Sequence, residues 1–389
     1  MIAPMTYALG QGTGPLQGIK VVEIAGIGPS PHACMILADL GADVIRVERP
    51  GGQMLAGGSH DLLNRGRPSV ALNLKDPKAI GCVLDLVEGA DVLVEGMRPG
   101  VLERLGLGPE ACHERNPRLV FARMTGWGQD GPWAQAAGHD MNYVAITGTL
   151  FGLGQEKAKP QFPANLVGDF GGGSTYLVIG ILSALLESRI SGKGQVVDAA
   201  IVDGTANLNA MTSAFLAGGT FREERAANLL DGGAPYYDIY ETADGEHMSV
   251  GALEPQFYEE LVTLLGIKET APDRYDPANA DELRALLAAT FRTRTRDEWC
   301  AVFDATDACV APILRMSEAP DHPHIKAREI FVEHEGLVQP APAPRFSRTG
   351  ATLGLPPAPK AGSHTREALA AWGIEDVDGL IESGAAVQA

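Results

Sequence analysis

Apolar and polar positions alternate in blocks along the first third of the chain. Residues 19–25 (IKVVEIA) form a β-branched run bounded by glycines, which Gly26-Ile27-Gly28-Pro29 turns into a helical pattern from Pro31 to Leu40. A second apolar run, Gly41 to Glu48, ends at Arg49-Pro50. Strand, glycine turn, helix and strand make the βαβ unit of a parallel sheet. The pattern then repeats. Residues 70–74 read as a short strand, and Asp76-Pro77 opens a helix to about Glu88, with the proline placed in its first turn. Residues 91–95 and 119–124 read as two more strands, with a turn and short helix over 98–105 between them. The fold class expected is α/β, built on a parallel sheet.

Further on, Asp169 to Ile190 reads as a long apolar helix with Asp169 at its N-cap, where free N–H groups and the helix dipole favour a carboxylate. Gly171-Gly172-Gly173 in its first turn costs ~1 kcal/mol per glycine relative to alanine. Such a cost makes sense where a ligand or another backbone approaches closely. Residues 195–199 give a strand or a helix start, and Ile201 to Ala217 a second apolar helix. After a charged stretch at 221–225 the period changes to two. Residues 237–242 and 247–251 flank an Asp244-Gly245 turn, the pattern of a hairpin. Helical segments at 256–265, 280–292 and 296–303 complete a smaller α+β domain. The chain is proline-rich from about Leu314 to Pro357, and helices at 365–372 and 376–383 return to the first domain. The division expected is a flexible extension over 1–15, the N-terminal part of the large domain over 16–200, a linker helix over 201–235 and the small domain over 236–320. A return linker and the C-terminal part of the large domain then occupy 321–389.

Composition narrows the partners. With 389 residues, 45% hydrophobic and 21% charged, the chain folds around more than one core. A formal charge of −18 argues against nucleic acid, which needs a basic surface. The acidity is uneven: residues 1–105 carry nine Lys/Arg against eleven Asp/Glu, so an anionic small molecule can still be attracted there. Cys34, Cys82, Cys112, Cys300 and Cys309 are scattered without metal spacing and read as reduced thiols, with no metal expected. The opening residues lack the basic and apolar regions of a signal peptide. The longest apolar run, Tyr176 to Leu186, falls short of the about 20 residues that span a bilayer. No peroxisomal tripeptide ends the chain. A cytoplasmic protein without membrane insertion is therefore expected.

Several positions are candidates for chemistry. Gly26-x-Gly28 starts like a dinucleotide fingerprint, but the third glycine is missing and a proline follows, which disfavours a nicotinamide cofactor. Arg49, Lys75 and Arg98 each lie one to three residues beyond a strand, where parallel sheets bind ligands. They form either a shared anion site or three solvated charges. In Gly138-His139-Asp140-Met141-Asn142-Tyr143 a histidine stands beside a carboxylate, and in Asn165-Leu166-Val167-Gly168-Asp169-Phe170 a carboxylate follows a glycine. Paired acid/base chemistry is one reading; a core histidine and a helix cap are the other.

These two stretches, with Val22 to Pro29, Ala122 to Gln129 and Gly251 to Phe257, resemble the family III CoA-transferase superfamily, and within it the racemase branch in its actinobacterial form. The resemblance runs from about Pro15 to Arg348. It implies His139 as one base, Asp169 as the acid/base on the opposite face of the substrate carbon, Glu254 as a carboxylate partner of the histidine and Asp140 as its neighbour. For CoA it implies Arg49, Leu72, Asn73, Leu74, Lys75, Gly96, Met97, Arg98, Arg104, and the run Gly138, His139, Asp140, Met141, Asn142 and Tyr143. Met97 stands where the family often has an aromatic. The implied reaction inverts the α carbon of 2-methylacyl-CoA thioesters through an enolate, with no cofactor because CoA belongs to the substrate. Such chemistry needs two proton carriers facing each other across the carbon, and donors for the enolate oxygen. The Gly168 to Gly173 backbone is the expected source of those donors. The implied fold is α/β, with a Rossmann-like parallel-sheet large domain formed by both chain ends plus a smaller α+β domain, and the implied assembly is an interlocked homodimer. Two rivals remain: a family III CoA-transferase, in which Asp169 is a nucleophile that forms an acyl anhydride, and an acyl-CoA-binding protein without catalysis.

Overall fold

The computed structural model describes residue 9 and residues 11–52 and 58–389. The chain divides into two compact units: Met1–Thr147, Pro163–Leu208 and Ala327–Ala389 form the first, Gly148–Phe162 and Asn209–Lys326 the second. The first unit thus extends through the helix Ile201–Leu208, eight residues beyond the expected boundary at 200. It also gives up residues 148–162, which were expected within it. The helix stays with the first unit because its Gly204 lies so close to the Gly172 carbonyl that a Cβ there would sit 1.9 Å from the oxygen. Of the extension expected over 1–15, residues 1–8 and 10 lie outside the described residues. Residues 11–14 are tied down: Thr13 donates its N–H to Thr352 Oγ1 at 2.9 Å, and Gly12 and Gly14 pack against the backbone of Thr352 and Leu40.

The first unit is built on strands β1 (Lys20–Ile24), β2 (Asp43–Glu48), β3 (Ser69–Leu72), β4 (Val92–Glu95), β5 (Val120–Thr125) and β6 (Gln195–Ala200). They run parallel in the order β3-β2-β1-β4-β5-β6, and Ala386–Val387 adds an antiparallel edge beside β3. The order reverses between β1 and β4, and a doubly wound sheet opens its ligand crevice beyond the strand ends at such a switch point. Strands β1 to β5 are buried on both faces, as a helix-covered parallel sheet requires. Alternate residues feed two cores. Val22, Ile24, Ile45, Leu93 and Phe121 pack with α2 (Pro77–Glu88) and the helix Thr365–Ala371. Val21, Val44, Val92 and Val120 pack with α1 (Pro29–Asp39) and the helix Thr175–Ser191.

Charges also lie inside this sheet. Glu23 of β1, 0% exposed, accepts from Arg46 at 2.5 Å and Arg67 at 2.6 Å. Ser69 donates to Glu48 at 2.5 Å. Pairing of this kind is what makes buried charge tolerable.

The second unit carries its own core of Tyr240, Met248, Leu287, Phe291, Trp299 and Phe303. Its three-stranded antiparallel sheet contains the expected hairpin, Tyr237–Glu241 with His247–Gly251, joined by Val310–Pro312. The second apolar helix, expected over 201–217, breaks at Asn209 into Ile201–Leu208 and Ala210–Ala217. Asn209 is drawn aside by a hydrogen bond from its amide to the Thr149 hydroxyl.

Candidate active site

Asp169 does not cap a helix. It lies inside a nine-residue π-helical segment, Leu166–Ser174, that continues into Thr175–Ser191. The wider turn is uncommon and clusters at functional sites. Here small residues let the backbone close on its neighbours. A Cβ at Gly172 would sit 2.4 Å from Thr205 Oγ1, and one at Gly173 would press on Ile201 and Pro29. Together Leu166–Ser191 make 26 residues long and apolar enough, by length and composition, to cross a membrane, which the shorter expected run was not. In the fold, Leu177, Val178, Ile181, Ala184 and Leu185 of this helix are buried.

His139 precedes the helix Asp140–Ile146, which its backbone caps: the Asn142 side chain accepts from the His139 N–H at 3.0 Å. Asp140 was expected as the neighbour of the histidine, but its carboxylate reaches across to the π-helical turn. Its Oδ1 accepts from the Asp169 N–H at 2.6 Å, with the Gly168 N–H also bonded to the carboxylate. The reach depends on Gly168, where a Cβ would stand 2.3 Å from that same oxygen. The arrangement corrects the expected oxyanion site. The N–H groups of Gly168 and Asp169 are taken by Asp140, and that of Phe170 by the Asn165 carbonyl at 3.2 Å.

Two carboxylates in one partly buried turn do not ionise equally. Burial, then the charge of Asp140, pushes Asp169 up to about 6, against the pull of His139. Burial raises Asp140 as well, and the two N–H groups oppose it. Gly28, at φ +72° before α1, faces Asp169 Oδ2, which would lie 3.1 Å from a Cβ there. Beneath the turn, Ser174 donates to the Phe170 carbonyl at 2.9 Å, so its oxygen accepts from His32 Nδ1 at 2.6 Å. His32 also stacks on Phe170 at 4.1 Å, and burial, then Arg65 and Arg67, lowers its pKa to about 4. From the sequence Gly28 is noted only within the incomplete G-x-G pattern, not as a neighbour of Asp169, and His32 is not singled out. The incomplete G-x-G pattern was the signal for the glycine, and nothing local signalled the histidine.

The positions expected to hold CoA fall at the carboxyl ends of the strands. Arg49 follows β2, Asn73 to Lys75 follow β3, and Gly96 to Arg98 follow β4, with Arg104 ending the helix Val101–Arg104. Gly96 abuts α1, where a Cβ would stand 2.5 Å from Ser30 Oγ. Arg49, Lys75, Arg98 and Arg104 are exposed, and among the described residues none of the four has an ion-pair partner. Two expected positions differ in kind. Leu72 is 0% exposed and its side chain belongs to the core. Tyr143 is buried edge-on against Trp127 at 4.7 Å and presses on Gly126 and Gly138, so it shapes the turns around His139. Met141, Asn142 and His139 are exposed. Glu254 belongs to the second unit, as the exposed residue before the helix Pro255–Leu264. Arg274 steadies its turn, donating to the carbonyls of Ala252 and Leu253 at 2.9 and 3.0 Å while lying over Tyr236 and Tyr258. Among the described residues no cluster of His, Cys, Asp or Glu could hold a metal.

The site therefore offers a carboxylate raised to about 6, a histidine whose charge acts on it, and cations that have no ion-pair partner among the described residues beyond the strand ends. Comparison with known proteins agrees in outline. The chain is 43% identical to the alpha-methylacyl-CoA racemase of Mus musculus over 361 residues, 92% of this chain and 93% of that protein. The alpha-methylacyl-CoA racemase of Homo sapiens is also 43% identical, over 92% of this chain and 94% of its own length. A crystal structure of a CAIB/BAIF family protein from Brucella suis superposes with a TM-score of 0.79 at 29% identity, covering 92% of this chain and all of that one. The model of CoA-transferase family III matches residues 16–365, and the chain belongs to that family.

Proposed function

We propose that this protein is an α-methylacyl-CoA racemase, which inverts the α carbon of 2-methylacyl-CoA thioesters between the 2R and 2S forms. The observation that carries the reading is the bond from the Asp169 N–H to Asp140, which ties the turn of Asp169 to the helix start at His139. In one direction the Asp169 carboxylate takes the α-proton while the protonated His139 delivers another to the opposite face; in the other direction the roles exchange. An enolate lies between the two steps, and the proton balance closes with no redox or metal cofactor. For Glu254, a residue of the second unit, the part of a carboxylate partner of the histidine is carried over from the family resemblance. Asp140, bonded to the Asp169 N–H, fixes the height of that carboxylate. Arg49, Lys75, Arg98 and Arg104, with the backbone of residues 72–75, 96–98 and 138–143, receive the CoA portion.

The reading includes a second copy of the chain as partner. Its support is the helix Ala210–Ala217, which buries none of its residues and leaves Met211, Phe215 and Leu216 between 40% and 54% exposed. It also places the enzyme in the cytoplasm without membrane insertion, supported by the packing of Thr175–Ser191 into the core of the sheet unit.

The test is incubation with a single enantiomer of a 2-methylacyl-CoA in deuterated water. Loss of optical purity with deuterium at Cα is expected. CoA exchange onto free acids without label would instead assign Asp169 as the nucleophile of a CoA-transferase, and binding without either reaction would leave a carrier protein.

A further inference from the structure

The stretch Ala122 to Gln129 carries the family resemblance, yet none of its residues has a part in the proton transfer or the anion site. Its arginine is the informative one. Arg123, in the second half of β5, is only 7% exposed. Its guanidinium meets three segments at once. Nη2 pairs with Glu103, the neighbour of Arg104 in the helix Val101–Arg104. Nη1 donates to Gln129 Oε1 at 2.7 Å, in the loop that leads to His139. Nε stands 3.6 Å from Glu95 Oε1, at the end of β4. Glu95, 4% exposed, turns its other oxygen to the Met97 N–H at 2.7 Å and so closes the turn that carries Gly96, Met97 and Arg98. Behind the guanidinium lies the Phe121 ring at 5.1 Å. A planar fork with donors in three directions suits this junction, and a lysine cannot reproduce it.

We propose that Arg123 is a positioning residue for the CoA portion of the substrate, acting through Glu95 on the 96–98 turn and through Glu103 on Arg104. The proposal rests on the reading that those strand-end cations bind CoA. Arg123 itself need not touch the ligand. Two points of the connection after β4 and one point of the loop after β5 are tied to one buried cation, so Arg98 and Arg104 keep a fixed spacing before the ligand arrives. Preorganisation of this kind appears as affinity, since ordering the loops is no longer a cost of binding.

A pH signature distinguishes the role from plain structural support. Burial pushes Glu95 up to about 7, against the Met97 N–H and Arg123, while Glu103 and Asp198 add to the rise. The ionised form is the one that holds both Arg123 and the turn. CoA affinity is thus highest above about 7 and falls as pH drops through that value.

The experiment measures KM and kcat for 2-methylacyl-CoA, and the Kd of free CoA, for Arg123→Lys, Arg123→Gln, Glu95→Gln and Arg98→Ala in the full chain. Both Arg123 variants are expected to raise KM and Kd by about tenfold, the scale of a lost charge-assisted bond, with kcat within about twofold. Glu95→Gln is expected to flatten the step in KM near pH 7. Should Arg123→Gln fail to fold, Arg123→Lys and Glu95→Gln carry the test. If Arg98→Ala raises KM while the Arg123 variants leave KM and Kd unchanged, or lower kcat alone, the positioning role is overturned. An unchanged KM in Arg98→Ala would instead remove the CoA reading beneath it.

Discussion

A methyl group at position 168 would stand 2.3 Å from an oxygen of Asp140, so the bond that fixes the Asp169 backbone exists only because that residue is glycine. The neighbouring carboxylates then work against each other, and the cost falls on Asp169, raised to about 6. Its consequence for stability has a definite sign. The folded chain holds the Asp169 proton more tightly than the unfolded chain does, so ionising it in place opposes folding above about 6, and that opposition fades as pH falls toward the ordinary value of 3.8. Asp169→Asn is therefore expected to raise the melting temperature at pH 8, with a gain that shrinks toward pH 4, while abolishing inversion. If Asp169 is the base as proposed, the wild-type rate in that direction is expected to fall about tenfold per unit below pH 6. Thermal melts and deuterium exchange at several pH values check both. At this scale the residue types were legible, because a histidine and a carboxylate in glycine-flanked turns stand out. The partnership between Asp140 and the Asp169 N–H was not. It arises from a π-helical register that the same residues would not need as an ordinary helix.

Elements were more legible than their contents. The parallel strands β1 to β5 were each read from short apolar runs, β1 from a β-branched run between glycines. Arg46 and Glu48 are charged residues within β2, and both are buried. The reason lies in β1 and the loop before β3, since Glu23 takes Arg46 on one carboxylate oxygen and Arg67 on the other. Removing one partner leaves an uncompensated charge in the sheet. Arg67→Met is expected to destabilise the protein by about 3–5 kcal/mol in urea titration. Glu23→Gln with Arg67→Met together should cost less than the sum of the singles, because the pair falls together. The break at Asn209 was likewise invisible, since the amide that makes it binds a threonine sixty residues away.

For the molecule as a whole, charge runs against location. A chain of net charge −18 leaves Arg49, Lys75, Arg98 and Arg104 without ion-pair partners among the described residues, beyond the carboxyl ends of its strands. An anionic ligand bound there is screened by salt, so KM for the thioester is expected to rise several-fold between low salt and about 0.5 M, with kcat nearly constant. Steady-state kinetics across a salt series check it. The two-unit plan was legible from the change of hydrophobic period near Tyr236. The excursion of residues 148–162 into the second unit was not, because it carries no periodicity of its own. The discontinuity of the sheet unit has a further consequence, for the order of events during synthesis. Residues 209–326 complete a core of their own before residues 386 and 387 exist to pair with β3. Until they do, a nascent chain presents β3 as an open, apolar edge, the kind of surface on which chains associate wrongly. Slow translation through the last stretch would lengthen that exposure, and a chaperone that shields strand edges would shorten it.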